Sequence, residues 1–266
     1  MCVRGPGDSG IRDTVLHAEN KSAAGSAACG GLAQIRSWAF AGGMKVVAIA
    51  SQKGGAGKST FAVNLAVLAD QQSSPAVLID MDEQGSLSVW EDLRGALTPL
   101  VVPARPEELD EVLHAARRDQ RIDWVFLDAP PLSNSSVAAV MRSASLVVIP
   151  ARPSVFDLAA ISATVAMARE LQKPFFIALN AVPPRRGLTE MPDVIRARKA
   201  IREMNAPMWQ GSIGQRALFS QSLAAGLSAV EQEPDGSAAR EVQALWRDIV
   251  RVVESLARLP LRGAAG

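Results

Sequence analysis

The feature that most constrains this chain is a glycine-rich segment that follows a short apolar run and precedes a helical pattern. The segment is Lys53-Gly54-Gly55-Ala56-Gly57-Lys58-Ser59-Thr60, and the run before it covers 45–50. Glycines permit tight backbone geometry and let amide groups approach phosphate oxygens, and a helix N-terminus adds favourable partial charge. We therefore expect a nucleotide phosphate site, in which Lys58 reaches the β- and γ-phosphates and the Ser59 hydroxyl ligates Mg²⁺.

Short apolar runs and helical patterns alternate from Met44 onward. Buried strands joined by helical crossovers predict an α/β fold, a doubly wound, mostly parallel sheet of about seven strands with helices on both faces. The expected strands are 45–50, 76–80, 99–102, 123–128, 145–150, 174–180 and 208–212. The expected helices are 58–71, 85–94, 106–119, 133–143, 156–171, 189–204, 215–224 and 237–258.

The first 43 residues differ from the rest of the chain. They are rich in glycine, serine and alanine and show no sustained hydrophobic period. We interpret 1–43 as a disordered leader, for which one explanation is translation from an upstream start, and 44–266 as a single domain. Nucleotide binding should then survive deletion of 2–43.

Composition excludes several functional classes. Cys2 and Cys29 are the only cysteines, so the body of the chain cannot carry a disulfide framework, a four-cysteine zinc site or a cysteine-bound iron–sulfur cluster. A reducing, cytoplasmic setting is expected. No run approaches ~18 apolar residues, so we expect no membrane span. The net charge is +1, so binding to DNA or to acidic lipid requires a local patch.

Carboxylates end two other predicted strands. Asp80 and Asp82 close the second strand, and alternation along a strand end points both towards the phosphate loop. Asp128 ends the apolar run that begins at Trp124, which is the pattern of a Walker B strand. Asp128 is therefore expected to hold Mg²⁺ through water. The structural alternative for Asp80 and Asp82 is capping of the following helix.

Together these motifs resemble the ParA/MinD family of deviant Walker A ATPases, and the resemblance covers nearly all of 44–255. The family's early lysine matches Lys53, which implies contact with the partner subunit's nucleotide and an ATP-sandwiched homodimer. The family's switch segment matches 80–84, with Glu83 in place of the usual proline. The match implies that Asp82 orients the attacking water and that Asp80 supports Mg²⁺. Lys53, Lys58 and Asp82 are thus the catalytic candidates.

Further segments extend the resemblance. Residues 145–158 are similar to the family's stretch after the fifth strand, and 176–180 to the strand whose terminal asparagine contacts the adenine edge, which implies that role for Asn180. An ordinary strand-end turn is the alternative for Asn180. The likeness is closest to small, ParF-like members without an N-terminal helix-turn-helix domain, through 85–90 and 213–216.

Basic residues outnumber acidic ones between 185 and 216, by seven to three. Non-specific DNA binding depends on lysine and arginine neutralising phosphates, and Arg216 matches a position where similar ParA proteins carry a DNA-contacting arginine. A solvated helix face is the alternative for the residues around Arg196. The candidate DNA-binding residues are Arg185, Arg186, Arg196, Arg198, Lys199 and Arg216.

The resemblance implies a nucleoid-associated, cytoplasmic partition ATPase. ATP and Mg²⁺ would drive dimerisation, the dimer would bind DNA non-specifically, and a ParB-like or adaptor protein would stimulate hydrolysis to move a plasmid, a chromosome region or a protein cluster. The alternative is a MinD-like membrane-associated positioning ATPase, in which the apolar stripe of 237–258 is an interfacial anchor instead of docking onto the sheet. A scaffold that does not hydrolyse ATP is a further alternative.

Overall fold

A computed structural model describes residues 43–131, 134–185, 187 and 189–258. The predicted leader up to residue 42, and Arg186, lie outside these residues. Within them the strands are β1 (Lys45–Ile49), β2 (Ala76–Asp80), β3 (Leu100–Pro103), β4 (Trp124–Asp128), β5 (Leu146–Ala151) and β6 (Phe175–Leu179). The helices are α1 (Lys58–Gln71), α2 (Ser86–Leu93), α3 (Leu109–Arg118), α4 (Asn134–Ser143), α5 (Val155–Glu170), α6 (Pro192–Glu203), α7 (Ala217–Ala224), α8 (Ala229–Gln232) and α9 (Ser237–Arg258).

The six strands form one parallel sheet in the order β3-β2-β4-β1-β5-β6. This topology confirms the predicted doubly wound α/β fold. Strand β1 lies between β4 and β5, so the strand order reverses around it. Ligands of such sheets bind at the carboxyl ends of the strands beside this reversal. The segment that follows β1 is the predicted phosphate loop.

Alternating side chains divide the interior into two cores. From β1, Val47 and Ile49 enter one core, while Val46 and Ala48 enter the other. Helices α1, α2, α7, α8 and α9 cover the first core, and α3 to α6 cover the second. Because both sheet faces are buried, the strands are almost entirely apolar, which is why the sequence pattern predicted them well.

The seventh predicted strand, 208–212, is wrong. Only single bridges occur here, between Ile177 and Met208 and between Val182 and Gly214. The Trp209 amide donates to the Ile177 carbonyl at 2.8 Å, but the chain then bends. The Trp209 ring lies over Gly211, where an added Cβ would be 2.4 Å from it, so the chain needs a glycine at this bend.

Helix α9 packs its apolar stripe against the first core. Of the two alternatives for this stripe, docking onto the sheet and a membrane anchor, the structure shows docking. The buried residues of α9 are Ala238, Ala239, Val242, Leu245, Trp246, Ile249 and Val253. Trp246 meets Trp124 edge to face, with ring centroids 4.6 Å apart, and its Nε1 donates to Gln72 Oε1 at 2.9 Å. None of the helices in the described residues is long and apolar enough to cross a membrane.

Candidate functional site

The phosphate loop leaves the carboxyl end of β1 and ends where α1 begins at Lys58. Gly57 has φ +98°, and no side chain caps the helix there. The first turn of α1 contains no acidic residue. Its N-terminal amides therefore remain available to an anion, together with the partial positive charge of the helix end. Lys58 is buried at this point, with 6% of its surface exposed.

Asn180 fastens the loop to the end of β6. Its Nδ2 donates to the Ala56 carbonyl at 2.7 Å, and its Oδ1 accepts from the Ala181 amide at 2.8 Å. A Cβ added at Gly57 would lie 2.1 Å from Asn180 Nδ2, so only glycine fits there. Both ends of the amide are thus engaged within the protein, and the adenine contact of Asn180 stays a prediction.

Asp128 lies at the centre of the site. It pairs in register with Ile49 of β1 on one side and with Asp80 of β2 on the other. The side chain is fully buried, and among the described residues neither carboxylate oxygen has a hydrogen-bond partner of good geometry. Burial raises the pKa of Asp128 to about 7, although the Ser59 hydroxyl and the Lys58 ammonium act to lower it.

An uncompensated buried carboxylate is costly, and a cation removes that cost. The oxygen donors of Asp128 and Ser59 suit Mg²⁺, which takes few protein ligands and keeps water and phosphate oxygens. Among the described residues no group of three or more acidic, histidine or cysteine side chains could hold a metal by itself. The site therefore fits Mg²⁺ bound together with a nucleotide.

Asp80 serves a different contact in this structure. Its Oδ2 accepts from the amides of Leu87 and Ser88 at 3.0 and 3.2 Å, and its Oδ1 accepts from the Asp82 amide at 3.2 Å. Burial raises the pKa of Asp80, although these hydrogen bonds act to lower it. The Asp80 carboxylate therefore caps α2, which is the alternative role that the sequence left open. Its support of Mg²⁺ stays a prediction.

Asp82 is more open to solvent. Its Oδ1 accepts from the Gln84 amide at 3.0 Å, and its carbonyl accepts from the Gly85 amide at 2.8 Å, so the switch segment is a tight turn. The side chain borders a groove of about 940 Å³ that Asp80 and Pro130 also line. This placement leaves room for water beside Asp82, which suits a residue that orients water.

Lys53 is held within its own chain. Its Nζ lies 3.3 Å from Asp157 Oδ1, with 44% of the Lys53 side chain and 7% of the Asp157 side chain exposed. Asp157 stands in the first turn of α5, where its amide donates to Ser154 Oγ at 3.3 Å. Sequence reasoning gave Asp157 no role, although the Ser154-x-x-Asp157 spacing is typical of a helix start.

The candidate DNA-binding residues that the structure describes are all paired with acids. Arg185 and Arg198 contact Glu190, and the other pairs are Arg196 with Asp193, Lys199 with Glu203, and Arg216 with Glu241. Arg198 is also largely buried, with 12% of its side chain exposed. Their DNA contact stays a prediction, because each of these side chains already contacts a carboxylate of the same chain.

A buried arginine that the sequence did not indicate, Arg94, links the end of α2 to α8. Arg94 follows α2, makes a two-bond pair with Glu231 and donates to the Gly226 and Thr98 carbonyls. Its guanidinium also lies 4.8 Å from the Trp90 ring centroid. The only sequence signal for this contact is at Glu231. Ser228 and Glu231 have the spacing of a capping box, and in the structure they form that box at the start of α8.

Comparison with known proteins, like the geometry of the site, indicates a nucleotide-binding domain. The sequence model of the CobQ/CobB/MinD/ParA nucleotide-binding domain matches residues 47–229. The maintenance of carboxysome distribution protein A from Gloeobacter kilaueensis is 32% identical over 216 residues, which cover 80% of this chain and 94% of that protein. The chromosome-partitioning ATPase Soj from Thermus thermophilus is 29% identical over 47% of this chain and 62% of Soj.

Solved structures share the fold. An ATP complex of McdA from Cyanothece superposes with a TM-score of 0.64, at 19% identity, over 81% of this chain and 98% of that one. The septum site-determining protein MinD from Pyrococcus horikoshii, in complex with Mg-ADP, gives 0.63 at 18% identity over 81% of this chain and all of that one. Their ligands were bound to the same fold that carries the buried Asp128 and the phosphate loop in this chain.

Proposed function

This chain belongs to the ParA/MinD family of P-loop ATPases, and from that premise we propose that it is a positioning ATPase whose ATP-bound dimer binds DNA non-specifically. Partner-stimulated hydrolysis then releases the dimer from DNA. The observation that carries the proposal is the buried Asp128 carboxylate, which lies beside the phosphate loop and, among the described residues, has no hydrogen-bond partner of good geometry. Such a group is useful only if a bound cation and nucleotide complete it.

Each residue of the site has a distinct role in hydrolysis. The loop amides from Gly54 to Thr60 and the Lys58 ammonium hold the phosphates and neutralise charge that develops during transfer. Ser59 and Asp128 would hold Mg²⁺, which when bound screens the phosphate oxygens and fixes their orientation. Asp82 accepts a hydrogen bond from the attacking water and orients it.

Lys53 connects hydrolysis with assembly. In the proposed dimer its ammonium leaves Asp157 of its own chain and contacts the partner subunit's nucleotide. The side chain is about half exposed, so it can move without opening the core. A cation supplied by the other subunit favours the dimer only when a triphosphate is present, which makes assembly depend on ATP.

The cargo is either DNA or a protein assembly. The names of similar proteins point to both, since one is a carboxysome distribution protein and another a chromosome-partitioning ATPase. We propose a ParB-like or adaptor protein as the stimulating partner and a nucleoid-associated location in the cytoplasm. The MinD-like alternative is less favoured, because the apolar stripe of α9 is buried against the protein and is not free to enter a membrane.

We also propose that 44–266 is one ATPase domain and that 1–43 is dispensable for nucleotide binding. All the predicted site residues lie in the domain, and the family match begins at residue 47. A chain shortened to 44–266 should bind a fluorescent ATP analogue with the affinity of the full chain. Loss of binding on shortening would contradict this domain assignment.

ATP turnover and oligomeric state together test the proposed function. The full chain should hydrolyse ATP in the presence of Mg²⁺, faster with duplex DNA and a cognate partner, whereas Lys58→Ala should be inactive. Asp82→Ala should bind ATP without hydrolysing it and accumulate as a dimer in light scattering. An Asp82→Ala protein that stays monomeric in saturating ATP and Mg²⁺ would remove the basis for an ATP-dependent dimer.

A further inference from the structure

Four arginines lie on one strip of α9, the last described helix. Arg240, Arg247, Arg251 and Arg258 are spaced by seven, four and seven residues. At 3.6 residues per turn these spacings place the four side chains within about 40° of one another, along about 27 Å of the helix. All four are exposed, Arg251 and Arg258 with 78% and 82% of their side chains open to solvent. We call these four residues the arginine strip.

Two of the three acidic residues of α9 are turned towards the body of the protein. Glu241 accepts from the Gly214 amide and pairs with Arg216, and Asp248 accepts from Trp209 Nε1 at 2.9 Å. Asp248 and Glu254 also contact strip residues, at 2.8 and 3.7 Å, in exposed pairs that solvent screens. Arg240 and Arg247 make no ion pair with an acid in the described part of the chain.

The apolar side of α9, opposite the strip, distinguishes between a lipid membrane and a nucleic acid as the ligand of this helix. Its apolar residues, among them Leu245, Trp246 and Ile249, are packed in the core and cannot insert into a lipid bilayer. An interfacial membrane helix needs that apolar face free. The solvent side of α9 carries four arginine positions in a row, with the exposed Glu254 beside Arg258, and Arg240 also donates to the Asp235 carbonyl. Guanidinium groups bind phosphate through several donors.

We propose that the arginine strip binds the phosphate backbone of duplex DNA, an inference that rests on the DNA-binding function proposed above. B-DNA carries one negative charge per ~1.7 Å of its axis, so a strip of about 27 Å spans roughly eight base pairs. The strip contains no aromatic or amide side chain that reads bases. Contacts to phosphate and sugar carry no sequence information, so we expect binding without sequence preference.

The strip differs from the surface that the sequence indicated. Arg196 and Lys199 on α6 each pair with an acid of the same helix, as Arg251 and Arg258 do, and Arg216 pairs with Glu241 of α9. The difference is that two of the four strip residues, Arg240 and Arg247, make no ion pair in the described part of the chain. By holding Arg216, Glu241 is kept at the flank of α9 and away from the strip. The two surfaces can be separated by substitution, since they are on different helices.

The test measures binding of the full chain, with ATP and Mg²⁺, to a fluorescent random-sequence duplex over a range of salt concentrations. The strip variant carries Arg247→Ala and Arg251→Ala, and alanine keeps α9 helical. Because each neutralised phosphate contributes ~0.9 to the slope of log K against log salt, we expect the slope to fall by about 2. Affinity at low salt should fall at least about tenfold.

Two matched variants control for net charge. Arg118→Ala with Arg121→Ala removes two exposed charges near the end of α3, on the other face of the sheet, and should change affinity less than twofold. Arg196→Ala with Lys199→Ala tests the α6 surface. Thermal unfolding and circular dichroism establish that every variant is folded.

The outcomes separate this inference from the proposed function. If the unmodified chain does not bind duplex DNA with ATP, the DNA-binding function fails and the strip fails with it. If the unmodified chain binds but the strip variant keeps its affinity and slope, only the strip is overturned, and a loss in the α6 variant would assign binding to α6. Binding to phosphatidylglycerol vesicles is measured for the same proteins. If the strip variant loses vesicle binding while its DNA binding is unchanged, the strip binds lipid and the DNA proposal is overturned.

Discussion

The Nζ atom of Lys53 lies 3.3 Å from the Oδ1 atom of Asp157 in the same chain. The lysine that the proposed dimer needs in the partner subunit's site is therefore bound to a carboxylate of its own chain. Asp157 is nearly buried, whereas Lys53 is about half exposed, so the lysine is the mobile member of the pair. The contact has to break before Lys53 can cross the dimer interface, which adds a cost to dimerisation.

Asp157→Asn should lower that cost. Asparagine keeps the shape of the side chain but removes the charge that attracts Lys53. Since partly exposed ion pairs are worth under ~1 kcal/mol, we expect half-maximal dimerisation at an ATP concentration about threefold lower. Light scattering against ATP concentration measures the shift. Ser154→Ala, which removes the helix cap but keeps the ion pair, is the control, and weaker dimerisation of Asp157→Asn would contradict the idea.

Local patterns explain most of what the sequence could predict. The phosphate loop is contiguous, and its flanking strand and helix are visible as apolar runs beside it. Six strands and eight of the nine helices in the described residues were predicted within a few residues of their bounds. The helix that was missed, α8, is four residues long, too short for a hydrophobic period to appear.

Contacts between distant residues could not be predicted in this way. The family resemblance implied an adenine contact for Asn180, but it did not indicate that the Asn180 side chain bonds the Ala56 carbonyl, 124 positions earlier. The charge count over 185–216 included Arg216 but not Glu241, its partner on α9. A window of sequence counts charges but does not show which of them the fold brings together.

Gly57→Ala should abolish useful nucleotide binding. Alanine rarely adopts φ +98°, and its Cβ would stand 2.1 Å from Asn180 Nδ2, so the loop must distort. We expect affinity for a fluorescent ATP analogue to fall at least about tenfold. Gly95→Ala is the control, because nothing lies within 4 Å of the added carbon there. Equal binding by the two variants would show that the loop tolerates a side chain at 57.

Asp128→Asn should stabilise the nucleotide-free protein at neutral pH while abolishing hydrolysis. Burial raises the pKa of Asp128 from 3.8 to about 7, so the folded state binds more protons than the unfolded state between these values. The contribution of Asp128 to stability is therefore lost as pH rises from about 4 towards 7, whatever the other carboxylates of the protein contribute. Asparagine removes this dependence.

Thermal unfolding in chelator at pH 4.5 and pH 8 measures the effect. The gain in Tm of Asp128→Asn over the unmodified chain should be larger at pH 8 and nearly absent at pH 4.5. Mg²⁺ with ATP should raise the Tm of the unmodified chain much more than that of the variant, because the cation site is lost. A variant that is less stable at pH 8 would mean that the Asp128 carboxylate is already compensated within the protein.

Arg94→Ala should destabilise the whole domain, although Arg94 lies outside the phosphate site. Removing a buried arginine leaves Glu231 and two carbonyls without their partner, at a cost of about 3 kcal/mol. Arg121→Ala, which breaks an exposed pair with Asp119, should cost under ~1 kcal/mol. Urea unfolding measures both variants.

The same pair gives an acid-dependent signature. Burial acts to raise the pKa of Glu231, but hydrogen bonds from Arg94 and Ser228 outweigh it and lower the pKa below 4.5. The ionised pair therefore contributes stability above pH 4.5 and loses it as pH falls through the lowered pKa. The difference between Arg94→Ala and the unmodified chain should accordingly shrink below pH 4. A difference that stays constant from pH 7 to pH 3 would assign the effect of Arg94 to its carbonyl contacts and to the Trp90 ring.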